Sequence, residues 1–138
     1  MAVRYTYGGK QYYQIYNLAK GRFINPRNPV KRICLSATSG DFQGFDLYGT
    51  SIYTIEGSPR KSFLLGYDRS RRYQPTKIRR YNYAVRSKKT ITVRGAKTLS
   101  FREPEGIKVL AGGQIYMMYV SNTLTNQSCN IYRVKRKI

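Results

Sequence analysis

The chain has 138 residues and a formal net charge of +20, because 26 lysines and arginines outnumber six acidic residues. This length suits one domain with a modest core. The sequence contains no histidine, which weighs against acid–base catalysis and against a structural zinc site. No apolar run reaches the roughly 18 residues that span a bilayer. The charge favours a polyanionic partner, with nucleic acid ahead of an anionic membrane.

Residues 1–29 are predicted to form an N-terminal basic, tyrosine-rich arm ahead of a compact domain over residues 30–138. The arm contains five basic residues and no acidic residue. Residues 11–18 favour a strand because they are rich in Tyr and Ile, whereas Pro26 and Pro29 interrupt regular structure. Two roles stay open for the arm: it lies on nucleic acid, or it becomes ordered against a neighbouring subunit.

Short strands are predicted through the middle of the chain. Residues 30–37 alternate between the two faces of a strand, which predicts the first core strand. Residues 45–55 are rich in β-forming side chains, and residues 61–67 favour a short strand that is buried on both faces. Residues 76–85 and 88–93 are predicted to be half-buried strands. The residues that would share the apolar faces of these two strands are Tyr81, Tyr83, Val85, Ile91 and Val93.

The last third of the chain continues this pattern. We predict a short strand at residues 97–101, a turn at residues 103–106 and a short apolar piece at residues 107–110. Residues 115–120 form the most hydrophobic run and predict a central strand, and residues 129–138 predict a final strand. No segment shows a capped helical period. About eight short strands indicate an all-β sandwich or barrel.

Residues 61–94 form the most basic stretch of the chain. No acidic residue lies between Asp68 and Glu103, while ten basic residues lie between Asp68 and Arg94 inclusive. Such a stretch is typical of a surface that binds phosphates without reading base sequence. The main set predicted to face nucleic acid is Arg69, Arg71, Arg72, Lys77, Arg79, Arg80, Arg86, Lys88 and Lys89. A second set lies in the arm, with Arg4, Lys10, Lys20 and Arg22 for phosphates and Tyr5, Tyr7, Tyr12 and Tyr13 for stacking on bases.

The remaining chemistry of the sequence argues against an enzyme. The six acidic residues are scattered, so we predict no catalytic residue, no metal site and no cofactor. Cys34 and Cys129 are predicted to be small buried side chains. Four tyrosines are predicted to lie in the core or in a subunit interface rather than to stack on bases; they are Tyr81, Tyr83, Tyr116 and Tyr119.

Three segments, taken in order, resemble capsid proteins of small circular single-stranded DNA viruses of the geminivirus, nanovirus and circovirus kind. Residues 30–36 are similar to the first barrel strand of these proteins. Residues 62–69, followed by Arg71 and Arg72, are similar to their strand that ends in Asp-Arg before a basic loop. The apolar strand at residues 115–120 and the Ile-Tyr-Arg-Val sequence at residues 131–134 resemble their C-terminal end. The short arm departs from the family, whose members carry a longer, arginine-dense arm.

The resemblance implies a single eight-stranded antiparallel jelly roll that assembles with itself into a small icosahedral shell, of about 60 subunits. It also implies packaging of a single-stranded genome, circular DNA rather than RNA, and a location in the virion. The basic residues in 69–72 and 77–80 would suit entry into the host nucleus during assembly. No membrane partner is expected. The alternatives from the residues are a monomeric basic barrel of the OB or SH3-like kind that binds RNA or DNA, and an accessory structural protein without a genome-binding role.

Overall fold

The structure is a computed structural model that describes residues 1–36, 41–57, 75–96, 99, 102–122, 126–136 and 138. Most of the chain in these ranges forms antiparallel strands, which confirms the predicted all-β class. The described residues contain no α-helix, and their one helical turn is a 3-10 turn at Ala111–Gly113. No helix in the described ranges has the length and hydropathy needed to cross a membrane.

The chain divides into two compact units, Met1–Ser39 and Gly40–Ile138, called here unit 1 and unit 2. The strands of unit 1 are β1 (Ala2–Tyr7), β2 (Lys10–Ile15), β3 (Leu18–Ala19), β4 (Arg22–Phe23) and β5 (Lys31–Ser36). The described strands of unit 2 are β6 (Phe42–Tyr48), β7 (Ser51–Glu56), β8 (Thr76–Asn82), β9 (Ser87–Val93), β10 (Glu103–Leu110), β11 (Gln114–Asn122) and β12 (Gln127–Arg133).

Unit 1 is built on a three-stranded sheet in the order β1-β2-β5. Gln11, Tyr13 and Ile15 alternate along β2 and are buried, and Ile33 of β5 pairs with Tyr13 on the same buried face. The two short strands β3 and β4 form a separate hairpin around Lys20 and a glycine that both adopt positive φ. Two such residues in succession match the left-handed turns that suit tight hairpins.

The sheet of unit 1 differs from the predicted division at residue 29. The strand predicted over residues 30–37 does form, as β5, but β5 pairs with β2, which the sequence placed in the arm. The alternation of Tyr13 and Ile15 gives β2 a buried face, and Ile33 extends it. Pairing of β5 with β2 extends this buried face, because directly opposed residues of an antiparallel pair lie on the same side of the sheet. Whether unit 1 acts as an arm stays a prediction.

Unit 2 contains two sheets around one core. The first has the order β6-β7-β8-β9 and the second β10-β11-β12. The first sheet contributes Ile55 and Ile78 to the shared core, while the second contributes Ile115 and Met117, all at most 2% exposed. Burial of each such side chain favours folding by about 1.5–3 kcal/mol. The hydroxyl of Tyr119, also in the core, donates a hydrogen bond to Thr76 Oγ1 across the two sheets, at 2.8 Å.

Three boundaries in unit 2 differ from the sequence predictions. Residues 45–55 lie in two strands, β6 and β7, because Gly49 adopts positive φ and allows a tight turn. Residues 83–86 form a turn, so Tyr83 and Val85 do not extend the face of β8. Residues 103–106 are not a turn but the start of β10, which tolerates its proline because the register shifts there.

Of the other predicted strands, two are confirmed, one ends earlier than predicted, and two lie outside the described residues apart from Leu99. The central strand at residues 115–120 is confirmed, since β11 lies between β10 and β12. The alternation of residues 88–93 is confirmed by β9, whose Ile91 is buried beside the exposed Thr90 and Thr92. The final strand ends at Arg133 rather than at residue 138. The strands predicted at residues 61–67 and 97–101 lie outside the described residues, apart from Leu99.

The two cysteines are not buried, contrary to the prediction. Cys34 in β5 and Cys129 in β12 are both free and exposed. Cys34 lies on the strand face opposite to the buried Ile33, and Cys129 lies on the face opposite to Tyr132, which packs against the core. A cysteine in an alternating strand follows the parity of its position rather than the burial preference of its type.

Candidate nucleic-acid interface

The β8–β9 hairpin presents a basic and polar face on the side away from the core. Directly opposed residues of an antiparallel pair share a face, so the cross-strand pairs define this surface. The hairpin face consists of Lys77 with Thr92, Arg79 with Thr90, and Tyr81 with Lys88. Ile78 and Ile91, at the intervening positions, point into the core. The period of two in both strands thus separates the cations from the apolar side chains.

Lys77 and Lys88 are the freely accessible cations of the hairpin face. Both side chains are exposed. The ammonium of Lys88 lies 5.9 Å from the centre of the half-buried Tyr81 ring, within the range of a cation–π contact. Lys88 and Tyr81 therefore form a positive site beside an aromatic ring. This pairing suits a phosphate next to a nucleobase.

Arg79 occupies the same face, but its charge is compensated. Its Nε lies 2.8 Å from Oε1 of Glu56, and the two side chains are 35% and 1% exposed. The contact is at ion-pair distance, although neither carboxylate oxygen of Glu56 has a hydrogen bond of good geometry within the described residues. A buried carboxylate needs a cation close by. The positive charge of Arg79 is therefore largely neutralised by Glu56, so Arg79 would attract a phosphate less strongly than an unpaired cation would.

Arg80 points to the opposite face of the sheet from Lys77 and Arg79. Its Nε donates a hydrogen bond to Ser51 Oγ at 3.0 Å, and one terminal nitrogen donates to the backbone oxygen of Ile138 at 3.1 Å. These bonds hold the guanidinium at the edge of the core. Arg80 therefore does not share a face with Arg79, because consecutive strand residues face opposite sides, and its contact with nucleic acid stays a prediction.

The other basic residues of the hairpin lie apart from its face. Lys89 is exposed and pairs directly with Arg80, so it belongs to that opposite side. Arg86 is exposed in the turn with a φ of 54°. The predicted residues Arg69, Arg71 and Arg72 lie outside the described residues.

A second basic and aromatic surface lies on the open side of the sheet of unit 1. Tyr5 of β1 pairs with Tyr12 of β2, and their rings stack with centroids 5.1 Å apart and planes 8° from parallel. This surface, the tyrosine face, consists of Tyr5, Tyr7, Lys10, Tyr12 and Arg32. Tyr7 is 76% exposed and Tyr5 is 42% exposed. Exposed rings beside two cations match the chemistry that binds a flexible single strand.

The pKa of the Tyr12 hydroxyl is raised by its contact with Cys34 on the neighbouring strand. Cys34 pairs with Tyr12 in the sheet, and the hydrogen bond between their side chains raises the pKa of Tyr12 above 10.0, with smaller contributions from burial and from the charges of Cys34 and Tyr5. The phenol therefore stays neutral over the physiological range. A neutral ring adds no negative charge to a surface that would bind phosphate.

Tyr13 is not available for stacking, contrary to the prediction. Its side chain is fully buried, and its hydroxyl donates a hydrogen bond to Gln11 Oε1 at 3.0 Å. Arg4 pairs with Tyr13 and lies half-buried on the same face, away from Tyr5 and Tyr12. The predicted arm set thus divides between two sides of one sheet, because adjacent residues along a strand alternate.

Lys20 and Arg22 lie exposed in the β3–β4 hairpin, which is not part of the three-stranded sheet. Arg32 is a residue that the sequence reasoning missed. The same alternation that identified Ile33 as inward placed Arg32 outward, so the signal was present in the pattern. The described residues also contain no group of three or more potential metal ligands.

Comparison of the chain with protein-family models, curated proteins and solved structures finds no match. The resemblance to capsid proteins therefore rests on the sequence motifs alone. The structure contains two candidate surfaces for nucleic acid, the hairpin face in unit 2 and the tyrosine face in unit 1. Both combine exposed cations with tyrosine rings, and both lie on sheets whose other side is buried.

Proposed function

We propose that this chain is a coat protein that binds single-stranded nucleic acid and assembles with itself into a closed shell. The observation that carries the nucleic-acid part is the hairpin face, where Lys77 and Lys88 are exposed on a sheet whose opposite side forms the core. Phosphate binding by exposed lysines is sequence-independent, which suits a protein that must cover a whole genome.

The charge of the chain supports packaging. If about 60 copies at +20 each form a shell, their charge of about +1,200 balances about a kilobase of single strand at one charge per nucleotide. Part of this charge is already compensated inside the subunit, as at Arg79. The packaged length would therefore fall below this figure unless further cations enter the shell.

The shell part of the proposal rests on the motif resemblance together with the sandwich of unit 2. A jelly roll has eight strands in two sheets with Greek-key connections, whereas the described strands of unit 2 form sheets of four and three. Their ladders all join consecutive strands, so no Greek-key pairing occurs among them. The strand that the resemblance assigns to residues 62–69 lies outside the described residues. The sandwich and the charge support the proposal. The eight-stranded jelly roll is part of what we propose and goes beyond the two sheets of the described residues.

Particle formation tests this proposal. The purified chain should elute as a very large species and form closed shells in negative-stain images. Nucleic acid extracted from those particles should be single-stranded, protected from nuclease, and of mixed sequence. A small monomer that binds oligonucleotides reversibly and releases them at high salt would overturn the coat function.

That outcome would favour a second candidate, a monomeric nucleic-acid-binding protein. The tyrosine face supports this alternative, since stacked Tyr5 and Tyr12 beside Lys10 form a complete binding surface within one unit. Such a surface needs no shell to operate. The two candidates therefore differ in assembly and in the surface that carries the argument, which is the hairpin face for the coat protein and the tyrosine face for the monomer.

A further inference from the structure

An apolar groove of about 440 Å³ lies on the outer side of the β10-β11-β12 sheet. It is open to solvent, and Ile131 at its margin is 72% exposed. Its described lining consists of Gly106, Ile107, Lys108, Leu110, Tyr116, Met117, Met118 and Ile131. An exposed apolar groove is a candidate site for contact with another molecule.

The groove is electrically neutral in a strongly basic chain. Lys108 is the one charged residue among its described lining residues, and its ammonium lies 3.1 Å from Asp46 Oδ1. The same carboxylate accepts a hydrogen bond from the backbone N–H of Val109 at 2.7 Å. Nucleic acid would bind a surface with free cations. Two copies that each carry a charge of +20 would instead meet where their charge is lowest.

Strand β12 borders this groove and leaves one edge without a partner strand among the described residues, since it pairs only with β11. Edge strands normally carry charges, prolines or bulges that prevent pairing with another chain. Residues 126–132 contain none of these protections: they have no charge, no proline and no shift in register. The next residue, Arg133, is the first charge.

We propose that β12 pairs antiparallel with β12 of a second copy, about a two-fold axis at Cys129. This register overlaps the whole uncharged segment, residues 126–132, and keeps Arg133 of each copy beyond it. It places Ile131 opposite Gln127 of the other copy and turns each three-stranded sheet into half of a six-stranded one. The inference rests on the self-assembly in the proposed function and names the surface that mediates it.

The register brings the two Cys129 side chains directly opposite each other. Opposed residues in an antiparallel pair have Cα atoms about 4.5–5.5 Å apart, which falls within the range that a disulfide bridges. Because Cys129 is exposed and free, it reports on the interface without any added probe. Cys34 is also exposed, so Cys34→Ser supplies the background in which Cys129 is the only thiol.

The experiment compares Ile131→Lys with Val85→Lys in nuclease-treated protein at high salt. Val85, in the β8–β9 turn, is 71% exposed against 72% for Ile131, so both variants add one charge at an equally exposed apolar position. Ile131→Lys should weaken self-association about tenfold or more, because it places a charge opposite the uncharged Gln127 of the other copy, where no acidic residue compensates it. Val85→Lys should associate like the unchanged chain.

Oxidation of Cys34→Ser with copper–phenanthroline should give disulfide-linked dimers, and these should be absent when Cys129→Ser is added. Equal association of the two lysine variants, or no cross-link through Cys129, would overturn the inference. Shells that still form with Ile131→Lys would keep the coat function and reject this surface. Cross-linked dimers that never form shells would keep the surface and reject the coat function.

Discussion

Glu56 lies 1% exposed beneath Arg79, with its carboxylate oxygen 2.8 Å from the guanidinium Nε. The carboxylate sits on β7 and the guanidinium on the neighbouring β8, on the side of the sheet away from the core. An ion pair with one partner fully desolvated is asymmetric: removal of the cation leaves an uncompensated charge, whereas removal of both charges leaves none. Arg79 therefore stabilises the sheet by compensating Glu56, in addition to lying on the basic hairpin face.

We expect Arg79→Ala to destabilise unit 2 by about 2–3 kcal/mol, which is below the 3–5 kcal/mol of a fully buried pair because the arginine is 35% exposed. The double variant Glu56→Gln with Arg79→Gln should recover more than half of this loss, since no charge is then left unpaired. Urea unfolding at neutral pH measures both values.

Lys108→Ala supplies the matched control for the loss of a cation from an ion pair. Lys108 is 64% exposed, and its partner Asp46 keeps the hydrogen bond from the Val109 N–H. This variant should cost about 0–1 kcal/mol. If Arg79→Ala cost no more than Lys108→Ala, Glu56 would not depend on Arg79.

The hairpin face should contribute directly to binding. Replacement of both Lys77 and Lys88 by alanine should reduce affinity for a mixed-sequence single-stranded oligonucleotide and lower the slope of log affinity against log salt by about 1.4, at about 0.7 per lost phosphate contact. Fluorescence anisotropy at several salt concentrations measures both quantities.

The control for this variant removes two charges elsewhere, with Lys108→Ala and Lys135→Ala. Lys108 is compensated by Asp46, and Lys135 lies beyond the end of β12. The salt slope should change less than in the hairpin variant. Equal changes in the two double variants would show that binding follows the net charge of the chain rather than the hairpin face.

Local sequence patterns predicted most of the strands but not all their boundaries. Residues 88–93 carry a clean alternation, and β9 follows it. Residues 103–106 contain a proline and a glycine, which favour a turn, yet they belong to β10. The bulge between Pro104 and Gly106 keeps this segment paired with β11. The pairing partner lies about 15 residues further along the chain, and no local pattern contains that information.

The sequence predicted the candidate sites only where the alternation of residues along a strand is enough to place a side chain on the exposed face. Lys77 and Lys88 were predicted to bind and are exposed on one face. Arg80 and Tyr13 were placed in the same sets but point to the other side of their sheets. Alternation shows that a strand has two faces, but it does not show which face is buried when both contain polar and aromatic residues.

The stacked tyrosines of unit 1 should favour single strands over duplex. Tyr5→Leu should weaken single-strand binding by about 1–3 kcal/mol, the typical effect of losing one stacked base, because the aliphatic leucine side chain cannot replace the ring that stacks on Tyr12. Duplex binding, which depends on phosphate contacts, should change little.

Tyr5→Phe is the control for this prediction, since it keeps the ring and loses only the hydroxyl. It should bind single strands like the unchanged chain, as shown by competition between a labelled single strand and an unlabelled duplex of the same length. A loss of binding in Tyr5→Phe equal to that in Tyr5→Leu would assign the effect to the hydroxyl rather than to stacking.

The pH dependence of stability should carry a contribution from Glu103. Burial raises the pKa of this carboxyl above 4.5, and the nearby Glu105 and Asp41 add to the rise, while a hydrogen bond donated by Gln43 Nε2 at 2.9 Å opposes it. Because the folded state holds this proton more tightly than the unfolded chain, the contribution of Glu103 to stability is fully present at acid pH. It is lost as the pH rises through the folded-state pKa.

Glu103→Gln should therefore become more stable relative to the unchanged chain as the pH rises from 4 toward 7, because an amide does not ionise. Urea unfolding at several pH values measures this difference. Gln43→Leu should move the loss to higher pH, since it removes the hydrogen bond that favours the ionised carboxylate. A stability difference that stays constant with pH, or that falls as the pH rises, would contradict the assigned effect of burial on Glu103.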